Sequence, residues 1–261
     1  MSRSEDLERI RAGLAAAAAA VRPFTPGEVA FERKAERADP VTAADHAADA
    51  ALRSSLLRPG EGWLSEESVD DRSRLGRDRV WVVDPIDGTR EFIEGIAEWC
   101  ISIGLLEEGM PVAGGILNPA TQELVVGSVE HGVTYNGRPA AVTEPEPGSP
   151  VTVLASRSEI RRGEWDRFER NGFVVRPCGS VAYKLALVAA GRADATWTLV
   201  GKSEWDVVGG TALVRAAGGR VTLADGVEPR FNQADPVYPN YVAAGQRIAR
   251  TLIEDVLGQA G

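Results

Sequence analysis

The chain has 261 residues, of which 44% are hydrophobic and 26% charged. That is ordinary for a globular protein with a buried core and excludes a mainly disordered chain. A net charge of -9 argues against a nucleic-acid partner, which would need a basic face, and against an anionic membrane surface.

Along the chain, the charged start and the alanine-rich run up to Val21 are too short and too weakly apolar for a membrane span or a signal peptide. Leu7, Ile10, Leu14, Ala17 and Val21 recur at helical spacing, and Arg22-Pro23 ends that helix. A second helix is expected over residues 42–57, with Thr42 and Asp45 at capping-box spacing. Residues 80–83 read as a short buried strand that runs into Asp84-Pro85-Ile86-Asp87-Gly88-Thr89, with a helix beginning near Thr89. Residues 101–106, 112–117, 124–127 and 133–135 read as antiparallel strands, the last meeting the Asn136-Gly137 hairpin signal. The proline-rich stretch 143–150 suggests a boundary between an α+β subdomain, 1–142, and an α/β subdomain, 143–261, that completes the site. Beyond it, strands are expected at 151–155, 173–175, 193–199 and 220–224, and helices at 181–190 and 204–217. The two cysteines, Cys100 and Cys178, form no CxxC and are read as reduced thiols, consistent with a cytoplasmic protein.

Three acidic clusters carry the chemistry: Ser65-Glu66-Glu67-Ser68, the Asp84–Thr89 hexapeptide, and Glu204-Trp205-Asp206, with Asp45 as a further contributor. A strand that ends in two carboxylates and a hydroxyl places them where α/β proteins build sites. Gly88 lets backbone approach a ligand, and free amides at a helix start suit a phosphate. Hard divalent cations take oxygen ligands of this kind, and paired ions promote in-line displacement at phosphorus. Each residue also has a plainer reading. Glu66-Glu67 suits a solvated loop, Asp45 and Asp206 suit helix caps three residues after Thr42 and Ser203, and Asp87-Gly88 suits a turn. A phosphatase of the haloacid dehalogenase type is excluded by spacing, because Asp84 and Asp87 are separated by two residues rather than one.

Taken together, Asp84-Pro85-Ile86-Asp87-Gly88-Thr89, the segment Asp39-Pro40-Val41-Thr42-Ala43-Ala44-Asp45, Ser65-Glu66-Glu67-Ser68, and Trp205-Asp206 with Ala216-Ala217-Gly218-Gly219 resemble, in order, the motifs of the inositol monophosphatase superfamily. The resemblance implies a layered α/β/α/β/α sandwich of the inositol monophosphatase and fructose-1,6-bisphosphatase type. It implies a magnesium-dependent, lithium-sensitive phosphomonoesterase with two or three Mg2+ ions and no phospho-enzyme. By this resemblance Glu66, Asp84 and the Ile86 carbonyl hold one ion, Asp84, Asp87 and Asp206 a second, and Glu66 assists a third. Thr89 and Asp45, supported by Glu67, orient and deprotonate the attacking water, and the Gly88 and Thr89 amides hold the phosphate. Lys34 lies near a lysine that precedes the first motif in related enzymes.

The run from Asp87 to Ile93, the segment Ala155-Ser156-Arg157-Ser158, and Gly179-Ser180 followed by Lys184 are similar to the 3'(2'),5'-bisphosphate nucleotidase branch. This adds Gly179, Ser180, Lys184 and Arg157 as expected substrate contacts. Inositol monophosphatases commonly carry a glutamate before the last Trp-Asp, and residues 196–200 contain no acid here. The expected substrate is therefore 3'-phosphoadenosine 5'-phosphate. Inositol-1-phosphate is the runner-up, followed by histidinol phosphate and fructose-1,6-bisphosphate. A homodimer is compatible with the resemblance. The reading from a different class is a metal-dependent binding protein without catalysis.

Overall fold

A computed structural model describes residues 2–33 and 40–257. Lys34 and Asp39, both singled out by sequence, lie outside the described residues.

Helix α1 (Arg3–Val21) starts at a Ser2/Glu5 capping box and buries Ile10, Leu14, Ala17 and Val21, the expected stripe. A short antiparallel pair, β1 (Phe31–Arg33) and β2 (Pro40–Thr42), leads into α2 (Ala43–Leu56). Seven strands then form one sheet in sequence order: β3 (Gly62–Ser65), β4 (Arg79–Asp87), β5 (Cys100–Glu107), β6 (Met110–Asn118), β7 (Glu123–Ser128), β8 (Gly132–Tyr135) and β9 (Arg138–Ala140). Strand β3 pairs parallel with β4, and the others are antiparallel. The one-turn helix α3 (Thr89–Ile93) sits between β4 and β5.

After a stretch without regular elements at 141–150, a five-strand sheet follows in the order β11-β10-β12-β16-β14. Its strands are β10 (Val151–Ala155), β11 (Phe173–Pro177), β12 (Ala195–Thr198), β14 (Gly219–Thr222) and β16 (Tyr241–Gly245). Helices α4 (Arg157–Arg161) and α5 (Asp166–Arg170) connect β10 to β11. Helices α6 (Val181–Ala189), α7 (Glu204–Ala216) and α8 (Gln246–Thr251) complete the fold, with a small antiparallel pair of β13 (Lys202–Ser203) and β15 (Val237–Tyr238).

The layers follow from strand alternation. Trp81, Val83, Ile101, Ile103 and Leu105 join the α1/α2 core, whereas Val80, Val82, Cys100 and Leu106 join the core around α6 and α7. That second core continues to Tyr241 and Ala243 of the five-strand sheet, whose other face packs Trp165, Phe168, Trp197 and Ile248 beneath α5 and α8. The result is the expected α/β/α/β/α sandwich.

Several local expectations are revised. The strand read at 80–83 continues to Asp87, and the one read at 193–199 contracts to Ala195–Thr198. Strands β3 and β16 and helices α4, α5 and α8 carried no sequence signal that was read. Among the described residues, no helix is long and apolar enough to cross a membrane.

Candidate active site

Strand β4 is buried along its whole length after Arg79. Its pairing with β5 shifts register between Asp84 and Asp87, where Pro85 has no N–H to donate to the ladder. Gly88 then takes φ 97° and ψ 39°, a left-handed conformation that suits glycine. A Cβ at Gly88 would stand 3.1 Å from the Glu98 carbonyl oxygen. The strand end therefore turns sharply into α3 and presents Asp84, Ile86, Asp87, Gly88 and Thr89 to one cleft of about 240 Å³.

Two other elements reach the same cleft. Glu66 follows β3, the parallel neighbour of β4, so both acidic segments leave the sheet at the same end. Asp206 comes from the first turn of α7. Glu66, Asp84 and Asp206 each offer an oxygen, and these atoms all lie within 4.8 Å of one another. These three could hold a metal ion, and one further observation fits that. Asp84 Oδ1 is buried and receives no hydrogen bond from the described residues, an arrangement that costs free energy in a protein interior. Carboxylate oxygens gathered in this way suit a hard divalent cation.

The clustered carboxylates shift one another's titration. Burial, then Glu66, Asp87 and Asp206, raise Asp84 well above the usual carboxylate range. Asp206 is half-open to the cleft and is pushed up to about 8, first by desolvation and then by Asp87 and Glu66. Burial also raises Asp87, opposed by the Ala182 N–H, the Ser180 hydroxyl and Lys184. A carboxyl raised in the folded state binds more protons folded than unfolded, so its contribution to stability is lost as pH rises. The metal-free protein is therefore expected to lose about 1–2 kcal/mol between pH 4 and pH 8, tempered by the solvent access of Asp206. Denaturant titrations at the two pH values in a chelator test this, and stability that is flat or rising would refute it.

The plain capping readings are correct, and the same residues also line or flank the cleft. Asp45 Oδ2 accepts from the Thr42 N–H at 2.8 Å and the Thr42 hydroxyl at 2.6 Å. Asp206 Oδ2 accepts from the Ser203 N–H at 2.9 Å, closing the box at α7. The other oxygen of Asp45 lies 3.2 Å from Thr89 Oγ1, which is also 3.0 Å from the Ile86 carbonyl oxygen. A single hydroxyl proton serves one of these acceptors at a time. Glu67 is half-buried with its N–H bonded to Ser65 Oγ at 3.2 Å, and it is not among the cleft-lining residues.

Ser180 has a positive φ of 56°, an uncommon conformation for a residue with a Cβ. The turn lets its hydroxyl donate to Asp87 Oδ2 at 2.7 Å while accepting from the Tyr183 N–H at 3.0 Å. The Ala182 N–H donates to the same Asp87 oxygen. Gly179, Ser180 and Lys184 all line the cleft. Lys184 is 4% exposed, and burial lowers its pKa.

Arg157 is the exception among the expected substrate contacts. Its guanidinium binds both oxygens of Glu98, at 2.7 and 2.5 Å, and Glu98 in turn accepts from the Gly179 N–H at 2.7 Å. Arg157 lines a neighbouring recess rather than the cleft, so it braces the Gly179-Ser180 turn. Sequence reasoning missed Glu91, Glu159 and Thr198, which line the cleft. Glu91 stands in the Asp87–Ile93 run but carried no role there, Glu159 and Thr198 stand in no motif, and the fold brings all three to the cleft.

The inositol monophosphatase family model matches residues 5–257. An inositol-1-monophosphatase of Mesorhizobium japonicum is 34% identical over 229 residues, covering 84% of this chain and 83% of the relative. A 3'-phosphoadenosine 5'-phosphate phosphatase of Mycobacterium leprae is 31% identical over 252 residues, covering 94% and 91%. The solved structure of inositol monophosphatase from Anabaena superposes with a TM-score of 0.76 at 28% identity, covering 99% of each chain.

Proposed function

The chain belongs to the inositol monophosphatase family and is a phosphomonoesterase, and from that premise we propose that it is a magnesium enzyme acting on 3'-phosphoadenosine 5'-phosphate. The observation that carries the metal assignment is the cluster of Glu66, Asp84 and Asp206 oxygens within 4.8 Å of one another, together with a buried Asp84 oxygen that has no donor among the described residues. Glu66, Asp84 and the Ile86 carbonyl would hold one ion and Asp84, Asp87 and Asp206 a second, with Glu66 available to a third. Bound there, magnesium supplies Lewis acidity and neutralises phosphate charge.

The protein's own groups do the rest. Ser180 and the Ala182 N–H fix the Asp87 carboxylate so that its other oxygen is free to face a ligand. Thr89 donates its proton to Asp45, which leaves the hydroxyl oxygen to accept a hydrogen bond from a water held for in-line attack. As the water attacks phosphorus, the proton it loses would pass to Thr89 Oγ1 while the Thr89 hydroxyl proton moves to Asp45, which Thr42 anchors. The support for the water that the family resemblance assigns to Glu67 would have to come from outside the cleft lining, which includes Glu66 and not Glu67. The Gly88 and Thr89 amides, at the turn after β4, receive the phosphate oxygens.

Substrate choice rests on the cations that line the cleft. Lys184 and Lys202 both do so, and a second phosphate would be matched by such ammonium groups. Inositol-1-phosphate stays as the second reading, supported by the relative from Mesorhizobium. Parallel assays with 3'-phosphoadenosine 5'-phosphate, inositol-1-phosphate, fructose-1,6-bisphosphate and histidinol phosphate are expected to give the highest kcat/KM on the first. Faster turnover of inositol-1-phosphate reverses the choice.

A further inference from the structure

Glu159 sits in the first turn of α4 and is 4% exposed, yet it lines the cleft. One carboxylate oxygen accepts from Thr198 Oγ1 at 2.5 Å and the other from Trp165 Nε1 at 3.0 Å. Trp165 is itself held against Trp197, with ring centroids 4.6 Å apart. Among the described residues, no Lys or Arg forms an ion pair with Glu159. A carboxylate has about four acceptor positions, and here a buried one has two neutral donors among the described residues. Burying a charge with so little compensation is costly, so the remaining capacity needs another use. The side chain borders the open cleft, and a ligand donor can fill it.

The charge of the surroundings narrows that donor. Lys184 lines the same cleft, is buried, and its ammonium makes no hydrogen bond to the described residues. Glu159 and Lys184 line this one cleft, so a cationic donor entering it for Glu159 would also meet the ammonium's repulsion. A neutral donor would not. The carboxylate cluster of Glu66, Asp84 and Asp206 lies on other elements and would face the phosphate. We infer that Glu159 is a specificity-determining residue that accepts a hydrogen bond from a substrate hydroxyl on the leaving-group side, as in a ribose or polyol phosphate. This rests on the phosphomonoesterase reading of the cleft. It also places an acid beside Thr198, within the stretch 196–200 that contains none of its own.

Matched substrates test it. 3'-Phosphoadenosine 5'-phosphate is compared with its 2'-deoxy counterpart, and inositol-1-phosphate with cyclohexyl phosphate, using wild type, Glu159→Gln and Thr198→Val with magnesium. Wild type is expected to favour the hydroxylated member of the pair it turns over by about tenfold or more in kcat/KM. Glu159→Gln is expected to shrink that preference to within about threefold, chiefly through KM, while keeping the magnesium-induced rise in melting temperature. Thr198→Val leaves the carboxylate in place and is expected to keep the preference, which separates ligand reading from mere support of β12. A wild type without preference in either pair overturns the inference even if Glu159→Gln fails to fold. So does an unchanged ratio in Glu159→Gln. No phosphate release from any of the four by folded wild type overturns the underlying reading of the cleft, and this inference with it.

Discussion

Asp84→Asn is expected to cut phosphate release about a thousandfold or more and, in the absence of metal, to make the protein more stable. The two effects have one cause. Asp84 is 1% exposed, one of its oxygens receives no hydrogen bond from the described residues, and Glu66, Asp87 and Asp206 all add to its cost of ionisation. An isosteric neutral amide removes that repulsion, which is worth on the order of 1 kcal/mol at neutral pH. It also removes the one side chain proposed to touch both ions. A thousandfold loss corresponds to about 4 kcal/mol of transition-state stabilisation, a reasonable share for metal neutralisation of a transferring phosphoryl group. Two measurements check this: phosphate release, and melting with and without magnesium. A variant within tenfold of wild-type activity, or one that melts lower than wild type in chelator, would falsify the shared origin. Asp87→Asn is a useful contrast, because Ser180 and Ala182 already donate to Asp87 and an amide there sacrifices good hydrogen bonds. That variant should lose activity without the gain in metal-free stability.

How far the sequence is legible depends on range. Features set by neighbours along the chain were readable: the stripe on α1, the run of β4 into Asp84-Pro85-Ile86-Asp87, the Asn136-Gly137 hairpin, and the capping spacings at Thr42/Asp45 and Ser203/Asp206. Those caps also show why the plain and functional readings of one residue need not compete. Asp45 uses one oxygen for the cap and the other for Thr89, so a helix start is what aims it. What was hidden depends on contacts made across the fold. Strand β16, Tyr-Val-Ala-Ala-Gly, is buried at all five positions and has no alternation to read, although it pairs with both β12 and β14. Arg157 looked like a phosphate-binding cation until Glu98, 59 residues away, claimed it. Glu159 belongs to no motif read from the sequence, and the contacts that explain its burial come from Thr198 and Trp165.

Gly209→Val is expected to destabilise the protein by about 3 kcal/mol and to raise its magnesium requirement. Helix α7 lies on the seven-strand sheet at backbone distance. A Cβ on Gly209 would stand 2.7 Å from Ser102 Oγ and 2.8 Å from the Ile103 carbonyl oxygen of β5. The sheet is equally bare opposite it: a Cβ on Gly104 would meet Val208 Cγ1 at 2.5 Å, and one on Gly114 would meet the Gly209 carbonyl oxygen at 2.4 Å. In an open helix, replacing glycine by alanine gains about 1 kcal/mol from propensity. Here even Gly209→Ala should lose stability, because the atoms it would strike are largely backbone and cannot move aside. For valine the helix must lift, and Asp206 lies in the first turn of that helix while Asp84 stays on β4. Widening the gap between them weakens a site whose oxygens now lie within 4.8 Å. The melting temperature should fall by roughly 6–12 °C for a chain of this size, and the magnesium concentration for half-maximal activity should rise severalfold. A Gly209→Val protein that melts within about 2 °C of wild type would mean that α7 is not seated on β5 and β6 through bare backbone. Loss of stability with an unchanged magnesium requirement would mean that this seating does not set the position of Asp206.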